Sequence, residues 1–523
     1  MGIVTSENRN IGWVVAALML GILMASMDNT IVVTAMGTIV GELGGLDSFV
    51  WVVSAYMVAE MAGMPIFGKL SDMYGRKRFF IFGLIVFMVG SALCGTADSI
   101  MELSIYRALQ GIGGGALVPI AFTIVFDIFP IEKRGKMGGL FGAVFGLSSI
   151  FGPLLGAFIT DHLNWQWNFY INLPLGVLAL IFIVMFYKES PVHQRQRIDW
   201  WGATLLIGAV VCLMFALELG GNKYDWDSLV IIGLFTGFVA FLGLFLFAET
   251  KAADPIISFK MFSNRLFAGS VLVALFYGAA FMAATVYIPI FVQGVYGGSA
   301  TNSGMILLPM MLGSVVTAQV GGFLATKTSY RNVMFLSGVI LIAGLLLLGT
   351  VSPNTSRWLL TIYMVTIGFG VGFSFSVLGM SAIHHFDITQ RGSASSTSNF
   401  IRSVGMTVGI TIFGMIQKND FSRELESAFK GLGGSLPVSG SGNANANSIL
   451  SESARSQIPA EILEKIIGSL SNSIVHTFMW ALVPAALAFL FIFLMGNERL
   501  IVRKQEKRGT LEKVEQEPAE QRL

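Results

Sequence analysis

Fourteen long apolar segments, separated by polar connections, constrain this chain more than any other feature of its sequence. They fall near 11–35, 49–70, 79–97, 102–126, 137–160, 168–187, 200–219, 228–248, 266–292, 302–325, 332–350, 357–383, 393–416 and 473–495. Crossing the hydrocarbon of a bilayer takes about 20 apolar residues in a helix. Lipid offers no partner to a bare N–H or C=O, so each segment must satisfy its backbone within itself, as a helix. The expected fold class is therefore all-α and integral to a membrane. Composition agrees: charged residues make up 12% of the 523, where a soluble domain carries about 25%. The 60 glycines and 42 phenylalanines suit close helix packing and a lipid-facing surface. A net charge of +2 gives no footprint for nucleic acid. Cys94 and Cys212 lie inside apolar runs without metal-ligand spacing, so neither a disulfide nor a metal is implied.

Lys and Arg collect in short cytoplasmic loops, which orients the chain. With the N-terminus inside, the inner loops hold Lys69 and Arg76-Lys77-Arg78, then Lys133, Arg134 and Lys136, then Lys188, Arg195 and Arg197, and further on Lys251, Lys260, Arg265, Lys327 and Arg331. The outer loops near 36–48, 98–101, 161–167 and 293–301 have none; Lys223 and the border residue Arg357 are the exceptions. Both termini are expected to be cytoplasmic. The first segment reads as a retained span, because Asp28 interrupts it and no small-residue cleavage site follows. The long outer stretch 417–472 reads as a Gly/Ser/Asn-rich loop over 431–448, followed by a short surface helix around Ala460 to Leu470.

The most specific motif is Gly68-Lys69-Leu70-Ser71-Asp72-Met73-Tyr74-Gly75-Arg76-Lys77-Arg78, between spans two and three. Its glycines permit a tight turn and close backbone approach. Asp72 can accept hydrogen bonds from a helix N-terminus, and Arg76 can pair with a carboxylate. A degenerate echo, Gly321-Gly322-Phe323-Leu324-Ala325-Thr326-Lys327, follows the tenth span without the aspartate. Span four contains Arg107-Ala108-Leu109-Gln110-Gly111-Ile112-Gly113-Gly114-Gly115; an arginine within a span is costly and faces a polar interior, a carboxylate or the outer interface. Span five carries small residues at Gly142, Gly146, Ser149, Gly152 and Gly156, with Pro153 to bend the helix.

The loop motif resembles the G-x-L-x-D-x-x-G-R-K/R signature of the major facilitator superfamily. Met27-Asp28-Asn29-Thr30-Ile31-Val32 and Trp165-Gln166-Trp167-Asn168-Phe169-Tyr170-Ile171-Asn172-Leu173-Pro174 are similar to stretches of its 14-helix drug:proton antiporter branch, with Gln166 where an arginine is usual. The resemblance covers nearly the whole chain. It implies two six-helix halves with two helices inserted between them: 1–198, the insert 199–250, 251–498 with the outer loop 417–472, and a basic tail 499–523. It also implies a cytoplasmic latch of Gly68, Asp72, Gly75 and Arg76 with Asp127, and a proton-linked role for Arg107. It marks Gly146, Gly152, Pro153 and Gly156 as an antiporter motif, hence export rather than import, in a working monomer of the bacterial plasma membrane.

A proton antiporter needs a carboxylate that loses its proton on one side and regains it on the other; burial and a nearby arginine pull such a group in opposite directions. Asp28 in span one is the candidate, coupled to Arg107, with Glu60 in span two as a second proton site or a cation-recognising group. Glu218, near the outer end of the first inserted span, reads as solvated. Substrate contacts are expected from aromatic and Met side chains around a central cavity, with Phe276, Tyr277, Phe281, Phe373 and Arg402 as candidates and Tyr287, Phe369 and Phe375 beside them. No phosphate-binding Gly-rich loop is present, and His384-His385 have no third ligand nearby in sequence, which disfavours ATP-driven transport and enzyme chemistry. The expectation is a proton-coupled exporter of lipophilic, often cationic compounds, without cofactor beyond the proton gradient. The alternative is a dedicated exporter of one metabolite or anionic signalling molecule.

Overall fold

The computed structural model describes residues 10–43, 50–189, 198–221, 223–298, 300–429 and 459–499. Among these, 14 segments form helices long and apolar enough to cross a membrane. The first half comprises α1 (Ile11–Leu43), α2 (Val50–Tyr74), α3 (Arg76–Cys94), α4 (Ile100–Ile128), α5 (Ile131–His162) and α6 (Asn172–Phe186). Two inserted helices follow, α7 (Trp200–Leu219) and α8 (Leu229–Lys251). The second half comprises α9 (Arg265–Gly294), α10 (Ala300–Lys327), α11 (Tyr330–Leu348), α12 (Arg357–Ala382) and α13 (Arg391–Phe429), and its last span is carried by α14 (Ala460–Trp480) and α15 (Leu482–Ile492). Local sequence sets several starts: Ser99, Asp199, Ser228, Asn264, Ser329 and Ser356 each accept a hydrogen bond from the N–H three residues on. Pro484 cannot donate to the carbonyl of Trp480, which accounts for the break before α15.

The two halves repeat one packing device. In the first, Gly111 and Gly115 of α4 lie against the backbone at Tyr56 and Glu60 of α2; a Cβ on Gly115 would stand 2.5 Å from the carbonyl oxygen of Glu60. In the second, Gly368 and Gly372 of α12 lie against the backbone at Met310 and Ser314 of α10, where a Cβ on Gly372 would stand 2.6 Å from the Cα of Ser314. Both pairs keep a four-residue spacing on both partners, which puts one small face against one backbone ridge. Gly68 follows Tyr56 by the same interval that separates Gly322 from Met310, so the degenerate sequence echo marks a true structural repeat. The halves meet along two seams, α5 against α10 and α2 against α13.

The inserted helices are not equivalent. Among the described residues α8 packs chiefly along α7, and it turns a broad apolar face outward, with Leu229 at 89% exposure. α7 lies against both α2 and α13, at the end of their seam remote from the latch motif. Trp51 of α2 meets Phe215 edge-on with centroids 4.6 Å apart, and Lys418 of α13 donates to the carbonyl of Gly221 at 3.0 Å.

The stretch 417–472 differs from expectation. α13 continues to Phe429, and the piece from Ala460 is continuous with the last span rather than a separate surface helix. Phe421 and Leu425 on one helix and Ile466 and Leu470 on the other are buried at i,i+4 spacing, so the two helices bury apolar stripes as they extend past the apolar core. Gln417 donates to Ser473 at 3.3 Å across this pair. The stretch 431–448 and the tail from 500 lie outside the described residues.

Forcing a branched side chain into the α2–α4 contact tests this packing. Gly115→Val should destabilise the protein by on the order of 1–3 kcal/mol, seen as a lower unfolding temperature in detergent. Gly233→Ala, where nothing lies within 4 Å of the new Cβ, should leave that temperature unchanged.

Candidate functional site

At the end of the molecule where α2 meets α3, Gly75 adopts φ 108°, a conformation that favours glycine, and the chain reverses in a single residue. That reversal places Asp72 and Arg76 side by side, with Arg76 Nη2 donating to Asp72 at 3.1 Å. Asp72 also accepts the backbone N–H groups of Gly392 and Ser393, at 2.8 and 2.7 Å, from the first turn of α13. Arg76 pairs with Asp127 and donates to the carbonyls of Thr123 at 3.2 Å and Ile388 at 2.6 Å. Arg391 reaches Asp127 from the second half at 3.3 Å. Gly68 lets α13 close: a Cβ there would stand 2.9 Å from the carbonyl of Gly392 and would collide with Ser396. The halves are thus latched by charge-assisted bonds, each worth on the order of 1.5–3 kcal/mol.

Deep between α1, α2, α4 and α6 lies a second polar centre. Arg107 has no exposure to solvent, which excludes the interfacial, snorkelling placement. Its guanidinium pairs with Asp28, also fully buried, and donates to Gln110 at 2.8 Å, to Asn29 at 2.9 Å and, through Nε, to the carbonyl of Val52 at 3.1 Å. Its charge sits 4.3 Å from the ring centroid of Tyr56. Asp28 further accepts from Gln110 at 2.8 Å and Asn172 at 2.9 Å. Arg107, Gln110 and Asn172 thus all donate to it.

Between the halves is a cavity of about 440 Å³. Seven methionines line it, among them Met57, Met61 and Met64 of α2 and Met311 of α10, together with Phe122, Phe145, Tyr277, Phe281 and Phe375. Its charged side chains are Glu60, Glu218 and Arg402. Glu60 and Arg402 are half-buried and make no hydrogen bond or ion pair to another described residue; Arg402 lies only over the Phe375 ring, at 5.5 Å. Asn29 lines the same cavity while accepting from Arg107, so the cavity wall touches the buried centre directly.

A family model described as Major Facilitator Superfamily matches residues 18–410. The chain belongs to the major facilitator superfamily. It is 55% identical over 504 residues to Multidrug resistance protein 3 of Bacillus subtilis (strain 168), covering 96% of this chain and 98% of that protein. Multidrug transporter protein MdtP of the same organism is 36% identical over 518 residues, covering 95% of each. The crystal structure of the human organic anion transporter MFSD10 (TETRAN) superposes with a TM-score of 0.60 at 16% identity, covering 92% of this chain and 99% of that one; at that identity it shows the fold alone.

Within this superfamily fold, the glycines of span five serve two adjacent faces rather than one. Gly152 and Gly156 admit α1, with a Cβ on Gly156 standing 2.8 Å from the carbonyl of Ile31, whereas Gly146 faces Met311 of the other half. Ser26 and Ser148 are 2.6 Å apart beside them, and Pro153 sits within α5. Of the expected cavity residues, Glu60, Tyr277, Phe281, Phe375 and Arg402 line it. Phe276 does not: it stacks on Phe491 of α15, with ring planes 3° apart. Phe373 is buried against Gly321 of α10. Tyr287 is buried in the core, and Phe369 is 38% exposed against Gly313. In each case the residue lies on a helix that reaches the cavity but on another face of it, which one-dimensional spacing does not resolve. Glu218 is corrected most: it is half-buried on the cavity wall rather than solvated. Its helix lies across a seam between halves, which no local pattern in α7 signals. At the latch end, folding brings Glu498 to His385 and into reach of His384, supplying the third group that sequence proximity lacks. Burial, then His385, lowers the His384 pKa, with Glu498 opposing.

Removing the charge of Asp72 should release α13. With Cys94 and Cys212 replaced by Ser and a reporter at Ser395→Cys, Asp72→Asn should raise labelling by an impermeant maleimide severalfold in vesicles exposing the latch side. Unchanged labelling would show that the latch does not hold this end closed.

Proposed function

We propose that this chain is a proton-coupled exporter that expels lipophilic, often cationic compounds by alternating access. It would act as a monomer in the bacterial plasma membrane, both termini cytoplasmic, with the proton gradient as its energy source. The observation that supports this reading best is one guanidinium shared by two sites: Arg107 holds the buried Asp28 and, through Asn29, the wall of the cavity. A cation drawn to Glu60 sits against that wall. Its positive charge favours the ionised form of the Asp28 carboxylate, so binding of the cation expels a proton, and a proton taken up by Asp28 frees Arg107 to act through Asn29 against the bound cation. Loss of that proton restores the pair. Substrate and proton thereby compete for one network without touching, which is the logic of exchange.

Several features support breadth of substrate. Methionine side chains adapt to different shapes, aromatic faces attract cations, and Glu60 supplies a counter-charge that no other described residue pairs. The names of the Bacillus relatives agree with drug export. Closure by the latch with the cavity between the halves fits the outward-open half of the cycle. Arg402 supports a second reading: a guanidinium on the cavity wall with no ion pair to another described residue suits an anionic group, as a dedicated exporter of one metabolite or anionic signalling molecule would require.

Ethidium efflux from energised cells tests the first reading. Wild type should pump and a protonophore should stop it. Asp28→Asn should abolish efflux, and Glu60→Gln should weaken transport of cations at least about tenfold, near 1.4 kcal/mol, while sparing neutral compounds. A wild type that moves no cationic dye would shift the case to the dedicated exporter.

A further inference from the structure

The inserted helix α7 is joined to both halves, and it brings a carboxylate into their shared cavity. Glu218 stands one residue before the end of α7 and lines the cavity together with Met214. Its position is fixed by three contacts: the hydroxyl of Ser54 on α2 hydrogen-bonds its carboxylate, Trp51 meets Phe215 at 4.6 Å, and Lys418 of α13 holds Gly221 at 3.0 Å. Ser54 and Glu60 are six residues apart on α2. At 1.5 Å per residue the α2 backbone at Ser54, which holds Glu218, lies about 9 Å along the helix axis from the backbone at Glu60. Apolar and aromatic wall lies around them, from Met57 and Met61 of α2 to Met214 of α7.

We propose that Glu218 is a second cation-recognising residue of the transport cavity, and that with Glu60 it selects compounds bearing two separated positive charges, such as bis-quaternary or bis-amidine amphiphiles. This rests on the reading of the chain as an exporter of lipophilic cations. A single cation can be served by Glu60 alone. A second cationic head, held by a linker spanning the methionine wall, reaches Glu218 at the end of the cavity away from the latch. Two half-buried carboxylates attract such a molecule more than one does, because each charge meets its partner where water is scarce. The inserted pair of helices thereby gains a role beyond extending the membrane-spanning scaffold: α7 contributes specificity, and α8 backs it against lipid.

The test is uptake into energised inside-out vesicles. It compares tetraphenylphosphonium, a monocation, with a series of bis-quaternary ammonium compounds of increasing linker length. Wild type should show an optimum at one linker length. Glu218→Gln should abolish that optimum and raise KM for the optimal compound about tenfold, leaving tetraphenylphosphonium within about twofold, which also shows that the variant folds. Glu60→Gln should impair both classes. A wild-type series without an optimum overturns the proposal whatever the variants do. So does a Glu218→Gln protein that treats both classes like wild type, or one that loses both equally, since the residue is then a solvated cap or a general structural group. If wild type carries tetraphenylphosphonium in either case, the exporter reading survives; if it carries neither class, both fall together.

Discussion

A guanidinium kept from water needs acceptors on every side, and much of the first half of this protein is arranged to supply them to Arg107. Asp28 and Asn29 come from α1, the carbonyl of Val52 and the Tyr56 ring from α2, and Gln110 from the same helix one turn on. Removing one partner of a buried ion pair leaves an uncompensated charge, at a cost of about 3–5 kcal/mol. The helices are therefore held in register by chemistry as much as by apolar packing. Close packing makes the reach possible: Gly111, Gly114 and Gly115 let α4 lie on α2, so that Arg107 one turn away meets Val52 and Tyr56 directly.

The second half repeats the scaffold without the charge. Gly368 and Gly372 place α12 on α10 as Gly111 and Gly115 place α4 on α2, yet spans nine to thirteen contain no acidic residue away from their ends. One half thus holds the buried Asp28–Arg107 pair and the other presents Arg402, Tyr277 and Phe281 to the cavity. The latch joins these unlike halves through Asp72 and the start of α13, far along α2 from the buried pair. One helix, α2, carrying Tyr56, Glu60, Gly68 and Asp72 in succession, connects buried centre, cavity and latch.

Much of this was legible in the sequence because the bilayer imposes a strong signal. Length and hydropathy located the spans, and Gly68, Asp72, Gly75 and Arg76 are placed by backbone needs and charge pairing that a local string records. The buried Asp28–Arg107 pair was legible for the same reason, since few ionisable groups occur in spans at all. What was hidden depends on which face of a helix turns inward. Phe276 and Phe373 share helices with true cavity residues yet point elsewhere, Glu218 joins the cavity only because α7 crosses a seam, and α13 outruns its apolar stretch because Phe421 and Leu425 find Ile466 and Leu470. These are tertiary facts, and hydropathy carries no trace of them.

The central claim is that substrate in the cavity and a proton on Asp28 compete through Arg107. The most direct measurement is proton exchange by the purified protein in weakly buffered detergent solution as tetraphenylphosphonium is added. Competition predicts that wild type releases protons to the medium on binding and that Asp28→Asn binds the cation without release. If Asp28→Asn exchanges protons as wild type does, the proton resides elsewhere and the shared guanidinium is structural only.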